Sequence, residues 1–257
     1  MDLGHKGKTV IISGGSKGIG AGICQVFAQE GANLVINYHS NKETCLKLAD
    51  RLSEEYGIKT AIVQGDVGKE KDVSAIFDCA MEHFGQVDIL VNNAAIQTQH
   101  PMLEGQYEDF LRIIRINLRA AYLMMQKSLP LLKASGQGRV ILISSVHGKR
   151  PTDFDAAYAV SKGGLKMLCR EAAIEFAPYG ITVNIIAPGG VAIEGKTGNP
   201  AWPAFRKVER ARHISAYPLG RVGLPSDSGE LACYIASEKS EHLSGASIRL
   251  DGCAMLL

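Results

Sequence analysis

Short, largely apolar runs alternate along the chain with longer stretches whose apolar residues recur every three or four positions. The short runs are Thr9–Ser13, Asn33–Asn37, Thr60–Gln64, Asp88–Asn92, Arg139–Ser144, Thr182–Ile186 and Ser247–Leu250, and each reads as a strand. Helical spacing covers Ile19–Glu30, Glu43–Tyr56, Asp72–Phe84, Tyr107–Leu132, Ala156–Ala177 and Asp227–Ser237. A strand with no polar face is buried on both sides, as in a parallel sheet covered by helices front and back. Right-handed crossovers then give an α/β fold: a doubly wound, parallel, seven-stranded sheet in a single domain over 1–257, with ligands at the carboxyl ends of its strands. The stretch 189–215 breaks the rhythm. It is rich in Gly, Pro and charge, carries Trp202 and Phe205, and is expected to be a substrate lid.

Composition narrows the class. The chain has 257 residues, enough to bury a large core, and its formal net charge is only +2. No strong field steers it to nucleic acid or a membrane surface, so neither is expected as a partner. The six cysteines show neither CxxC pairs nor metal spacing and are expected to be reduced thiols in the core. No signal peptide and no membrane span is recognised, so a cytoplasmic location is expected. None of the seven histidines has a partner at ligand spacing, and no metal site is expected.

Two stretches carry chemistry. The first is Ser13-Gly-Gly-Ser-Lys-Gly-Ile-Gly20, which leaves the first strand and runs into a helix. Gly14 and Gly18 permit a tight turn, Gly20 lets helix and strand approach, and the helix N-terminus offers free N–H groups to a pyrophosphate. A nucleotide is expected there. An NAD site usually places a carboxylate after the second strand to take the ribose hydroxyls. Here that strand exits through Asn37, Tyr38, His39, Ser40 and Asn41, and Lys17 stands in the loop within reach of a 2′-phosphate. NADP(H) is therefore the expected cofactor, with NAD(H) as the alternative. The second stretch is Tyr158-Ala-Val-Ser-Lys162. Residues four apart share a helix face, and a cation beside a phenol favours its ionised form, which suits proton transfer in alcohol–ketone chemistry.

With both stretches in place, the chain resembles the short-chain dehydrogenase/reductase family over essentially its whole length. Gly14, Gly18 and Gly20 match that family's cofactor loop, which also includes Ser16, Lys17 and Ile19. Asp66-Val67 resembles its adenine contact. Asn92-Asn93-Ala94-Ala95 resembles its Asn-Asn-Ala-Gly, with Ala95 for the glycine. Asn117 occupies the place of its helix asparagine, and Ser145, thirteen residues before Tyr158, that of its serine. Pro188-Gly189 resembles the segment that closes over the nicotinamide. Where the family often has a threonine four residues after that glycine, this chain has Ile193, and a backbone contact from Val191 is expected instead. Asp251-Gly-Cys253 replaces an Asp-Gly-Gly, and no meaning is assigned to it.

The resemblance implies a Rossmann-fold enzyme with a catalytic set of Asn117, Ser145, Tyr158 and Lys162. Ser145 would hold the substrate oxygen, Tyr158 would exchange its proton, and Lys162 would lower the tyrosine pKa and bind the nicotinamide ribose. Asn117 would hold a water in a relay to solvent. Pocket walls are expected from Ile96–Met102, Val146–Phe154 and the lid, bringing Gln97, Gln99, His147, Lys149, Arg150, Asp153, Trp202, Phe205, Arg206 and Arg210. That polar rim suits a sugar or polyol. A 3-oxoacyl thioester is the alternative, although Gly136 and Tyr179 replace the bases that branch uses to dock its carrier; steroids and other carbonyls come next. A nucleotide-binding sensor without turnover is a remote reading. A homotetramer is expected, paired through the Tyr107–Leu132 and Ala156–Ala177 helices and, separately, through the C-terminal elements.

Overall fold

The structure, a computed structural model, describes residues 2–98, 100–152, 155–193 and 217–256. Seven strands form one parallel sheet: β1 (Thr9–Ile12), β2 (Asn33–Tyr38), β3 (Thr60–Gln64), β4 (Ile89–Asn92), β5 (Arg139–Ile143), β6 (Thr182–Pro188) and β7 (Ser247–Leu250). Their order is β3-β2-β1-β4-β5-β6-β7. The winding reverses between β1 and β4, which pair from Val10↔Ile89 to Ile12↔Val91, and the crevice above that pair is where a doubly wound sheet takes its ligand.

Helices cover both faces: α1 (Gly18–Gln29), α2 (Lys42–Tyr56), α3 (Glu70–Phe84), α4 (Tyr107–Ile114), α5 (Ala120–Ser135), α6 (Ala156–Phe176) and α7 (Pro225–Ala236). Alternate strand residues feed two apolar layers. Ile11, Val35, Leu90 and Val140 pack under α3, α5 and α6, while Val10, Leu34, Ile89 and Ile141 pack under α1, α2 and α7. Each fully buried aliphatic side chain contributes about 1.5–3 kcal/mol. That double burial is why the strands read as apolar runs. Among the described residues, no helix is long and apolar enough to cross a membrane, and the six cysteines are free.

The expected strands and helices are present, with ends shifted by two residues or fewer, except for the long helix over Tyr107–Leu132. That helix is interrupted by a π-helical turn, Arg115–Arg119, where the N–H of Ala120 reaches back to the carbonyl of Arg115. One extra residue in a turn leaves the apolar spacing nearly unchanged, so the sequence pattern conceals it. The expected lid falls mostly outside the described residues. Its flanks are described: Val191 bridges Gly223, Gly223 N–H donates to the Gly190 carbonyl at 2.8 Å, and Ala192 N–H donates to that of Gly223 at 3.0 Å.

Candidate active site

Helix α6 begins at Asp155, whose carboxylate accepts from the N–H of Tyr158 at 2.9 Å and so caps the first turn. One turn further, Lys162 is buried on the same face, with Nζ 5.5 Å from the centroid of the Tyr158 ring. Its ammonium donates to the Ile143 carbonyl at 2.8 Å, which ties the helix to the carboxyl end of β5. Burial pushes the Lys162 amine down to about 8. The Tyr158 phenol is raised, first by burial; a hydrogen bond from Ser145 works in the other direction, and the charge of Asp155 adds to the rise. In the protein alone, burial and Asp155 together outweigh the Ser145 hydrogen bond.

Ser145 leaves β5 as the cap of a short 3-10 turn, Val146–Gly148, accepting from the N–H of His147 at 3.2 Å. Its hydroxyl meets the Tyr158 phenol, and the His147 ring stands edge-on to the Tyr158 ring at 6.5 Å. Ser144 faces the other way, donating to the Lys162 carbonyl at 3.0 Å. Asn117 sits in the π-turn. Its Oδ1 accepts from Ile96 N–H at 2.8 Å, while its Nδ2 donates to the Ile96 carbonyl at 2.8 Å and to Ser161 Oγ at 3.1 Å. Both amide donors are thus spent on protein, and the side chain braces the loop after β4, a role the resemblance did not imply. A narrow cavity of about 10 Å³, room for one water, lies beside Asn92, Asn117 and Lys162.

The turn after β1 has the shape of a phosphate cradle. Gly14 and Gly18 lie at φ +60° and +56°, and a Cβ on Gly20 would collide with the carbonyl of Gly14. Lys17, the N-cap of α1, makes no side-chain cap, which leaves the first N–H groups of the helix to a ligand. Ser16 and Ile19 flank it, half-buried. Two amides stiffen the cradle. Asn37 Oδ1 accepts from Gly14 N–H at 3.1 Å, and Asn93 Nδ2 donates to the carbonyls of Ser13 and Gly14 at 3.0 and 2.9 Å. Asn93, expected against the cofactor, braces the cradle with its side chain, joined by Ser13, whose hydroxyl accepts from Asn93 and Ala94 N–H. Tyr38, also expected there, buries its side chain in the core beside α2, whereas His39 and Ser40 are exposed. At the adenine end, Asp66 Oδ1 accepts from Gly68 N–H at 2.9 Å, and Val67 is buried in the core. Pro188 and Gly189 close β6, Val191 follows them, and Ile193 lies against Gly18. These residues fit a dinucleotide laid across the β1–β4 crevice with its nicotinamide end toward Lys162.

Comparison with known proteins agrees. A family described as enoyl-(acyl carrier protein) reductase matches residues 14–253. Glucose 1-dehydrogenase 2 of Bacillus subtilis is 34% identical, covering 96% of this chain and 94% of its own. The chain belongs to the short-chain dehydrogenase/reductase family. Another relative, 3beta-hydroxysteroid dehydrogenase 1 of Eggerthella lenta, is 38% identical, covering 96% of this chain and 93% of its own. The structure of L-sorbose reductase from Gluconobacter frateurii with NADPH and L-sorbose superposes with a TM-score of 0.89 at 27% identity, covering 98% of both chains. This dehydrogenase/reductase is thus an enzyme, an NAD(P)-dependent oxidoreductase acting on CH–OH groups.

Of the expected walls of this dehydrogenase/reductase, Gln97, Lys149 and Arg150 are exposed and His147 is half-buried. Gln99, Asp153, Trp202, Phe205, Arg206 and Arg210 lie outside the described residues. Sequence reasoning missed Ser13, Asn37, Thr98 and Asp155. A signal existed only for Asp155, an acidic residue directly before a helical run.

Proposed function

We propose that the protein interconverts a secondary alcohol and a ketone on a small polar substrate such as a sugar or polyol, with NADP(H) as the preferred cofactor. The observation that carries the reaction is the Ser145–Tyr158 hydroxyl pair, set over buried Lys162 at the mouth of the cradle. Both hydroxyls address one substrate oxygen. Tyr158 gives its proton to that oxygen in reduction and takes it back in oxidation. Lys162 spends one N–H on Ile143 and keeps two for the nicotinamide ribose. The bound dinucleotide supplies or accepts the hydride.

Cofactor preference rests on charge. Lys17 in the cradle loop is exposed, the exit of β2 shows His39 and Ser40, and Asn37, two residues before His39, is an amide committed to Gly14. The polar substrate is favoured by the rim of Gln97, His147, Lys149 and Arg150 and by relatives named for glucose and sorbose. A hydroxysteroid is the second reading, favoured by the relative at 38% identity and by Met102 and Leu103, which are 80% and 98% exposed at the end of the expected wall. The thioester reading has less support, since Gly136 and Tyr179 supply no base. Absorbance at the nicotinamide band, with NADPH and NADH against sugars, hydroxysteroids and acetoacetyl thioesters, separates the three. Tyr158→Phe is expected to bind NADPH unchanged and to lose turnover by at least about a hundredfold; turnover at the parent rate sinks the reading.

The assembly is proposed to be a homotetramer. Val160, Met167 and Ile174 recur every seven residues on α6 and are 54%, 56% and 72% exposed. Tyr107 on α4 and Tyr122 on α5 are exposed at 69% and 52%. An apolar seam of this kind on neighbouring helices suits a second copy of the chain.

A further inference from the structure

Asp155 is 2% exposed, and among the described residues no cation lies within ion-pair distance of it. Its two oxygens hold different parts of the molecule. Oδ1 accepts from Tyr158 N–H at 2.9 Å, in the first turn of the catalytic helix. Oδ2 accepts from the N–H of Thr98 at 2.6 Å and from its hydroxyl at 3.0 Å, 57 residues away in the loop after β4. The Asp155 N–H donates to Thr152 Oγ1 at 2.8 Å, which adds the loop that follows Ser145. Three separate segments, two of them expected walls of the cleft, therefore converge on one buried residue, two of them through its carboxylate.

We propose that Asp155 is a positioning residue of the reaction, a fixed negative charge that locks the Thr98 wall to the catalytic helix and disposes Tyr158 to hold its proton. This deepens the alcohol–ketone reading and rests on it. A helix cap alone needs one neutral acceptor, which serine or asparagine provides as well as aspartate. The second oxygen and the charge are surplus to capping. A desolvated carboxylate is costly to bury and persists where charge-assisted hydrogen bonds hold it, here three of them. The consequence for chemistry is electrostatic. The groups that face Tyr158 are Ser145, His147, Lys162 and Asp155, and of these Asp155 contributes negative charge that opposes ionisation of the phenol. The consequence for binding is geometric, because Gln97 and Thr98 belong to the expected wall of the cleft.

The test compares Asp155→Asn and Thr98→Val in the full-length enzyme, with Tyr158→Phe as control. kcat and KM are measured against pH in the oxidative direction, and NADPH affinity by fluorescence. Asp155→Asn is expected to move the rising limb of the kcat profile to lower pH by about half a unit to one unit. It is also expected to raise KM severalfold, with NADPH affinity unchanged. Thr98→Val is expected to raise KM and leave the limb in place. If Asp155→Asn does not purify folded, Asp155→Ser carries the same reading, since it keeps a neutral cap. A folded neutral variant with the parent's limb and KM overturns the proposal, while loss of turnover in Tyr158→Phe shows the underlying function intact. Parent-like turnover in Tyr158→Phe overturns the function itself.

Discussion

At the scale of single residues, the site stores instability where it needs reactivity. Burial takes the Lys162 amine from 10.5 to about 8, a gap of roughly 2.5 pH units. Between those values the unfolded chain binds a proton that the folded chain does not, so stability rises with pH across the window, and below it the penalty is complete. The gap corresponds to at most about 3 kcal/mol, less what the bond to Ile143 returns. Lys162→Met is therefore expected to unfold several degrees higher than the parent near pH ~7 and to lose that advantage near pH ~10, while turnover disappears. Thermal unfolding at the two pH values checks it. The proposed catalytic pair was legible at this scale because spacing alone puts Tyr158 and Lys162 on one face. The amides were not. Asn93 and Asn117 read in sequence as site groups and Asn37 as having no role, yet each holds a backbone segment 20 or more residues away. Local pattern carries no information on which distant carbonyl an amide will meet. Cys253 is another case: where the family has glycine, it holds φ at +69°, a strained backbone that sequence could flag only as a departure.

Among the elements, strands were the most legible, since a parallel strand buried on both faces is an apolar run and little else. The join of α1 to α7 was not legible. Gly22 lies so close to Pro225 that an added Cβ would overlap its backbone, and a Cβ on Gly229 would press on the Gly22 carbonyl at 2.7 Å. The cradle's helix and the element after the lid thus touch backbone to backbone. Gly22→Ala gains about 1 kcal/mol of helix propensity and loses more to overpacking. A net loss of about 2 kcal/mol is expected, read as a fall of several degrees in unfolding temperature with weaker NADPH binding. The π-turn at Asn117 escaped sequence reading for the same reason as the amides: tertiary demand selects it, against a periodicity that barely changes.

At the scale of the whole molecule, the described residues present one sheet, one crevice and one apolar seam. Fold and reaction class were legible because several motifs fall in register along the full chain, while substrate choice was not, since it depends on side chains that meet only across loops. Assembly belongs to this scale too. Ile174→Asp, which puts a charge into the seam 72% exposed in the single chain, is expected to turn a tetramer into smaller species at micromolar concentration. Light scattering checks it, and a parent that is already monomeric removes the proposal.

The bridge between Val191 and Gly223 has a consequence for descent. The bridge clasps the two flanks to each other, so the cost of closing whatever lies between grows only with the logarithm of its length, about 0.6 kcal/mol for each doubling. Changes in the length of chain between the two clasped ends are therefore expected to cost the fold little. A lineage built this way can lengthen or shorten that stretch and keep the fold it inherited.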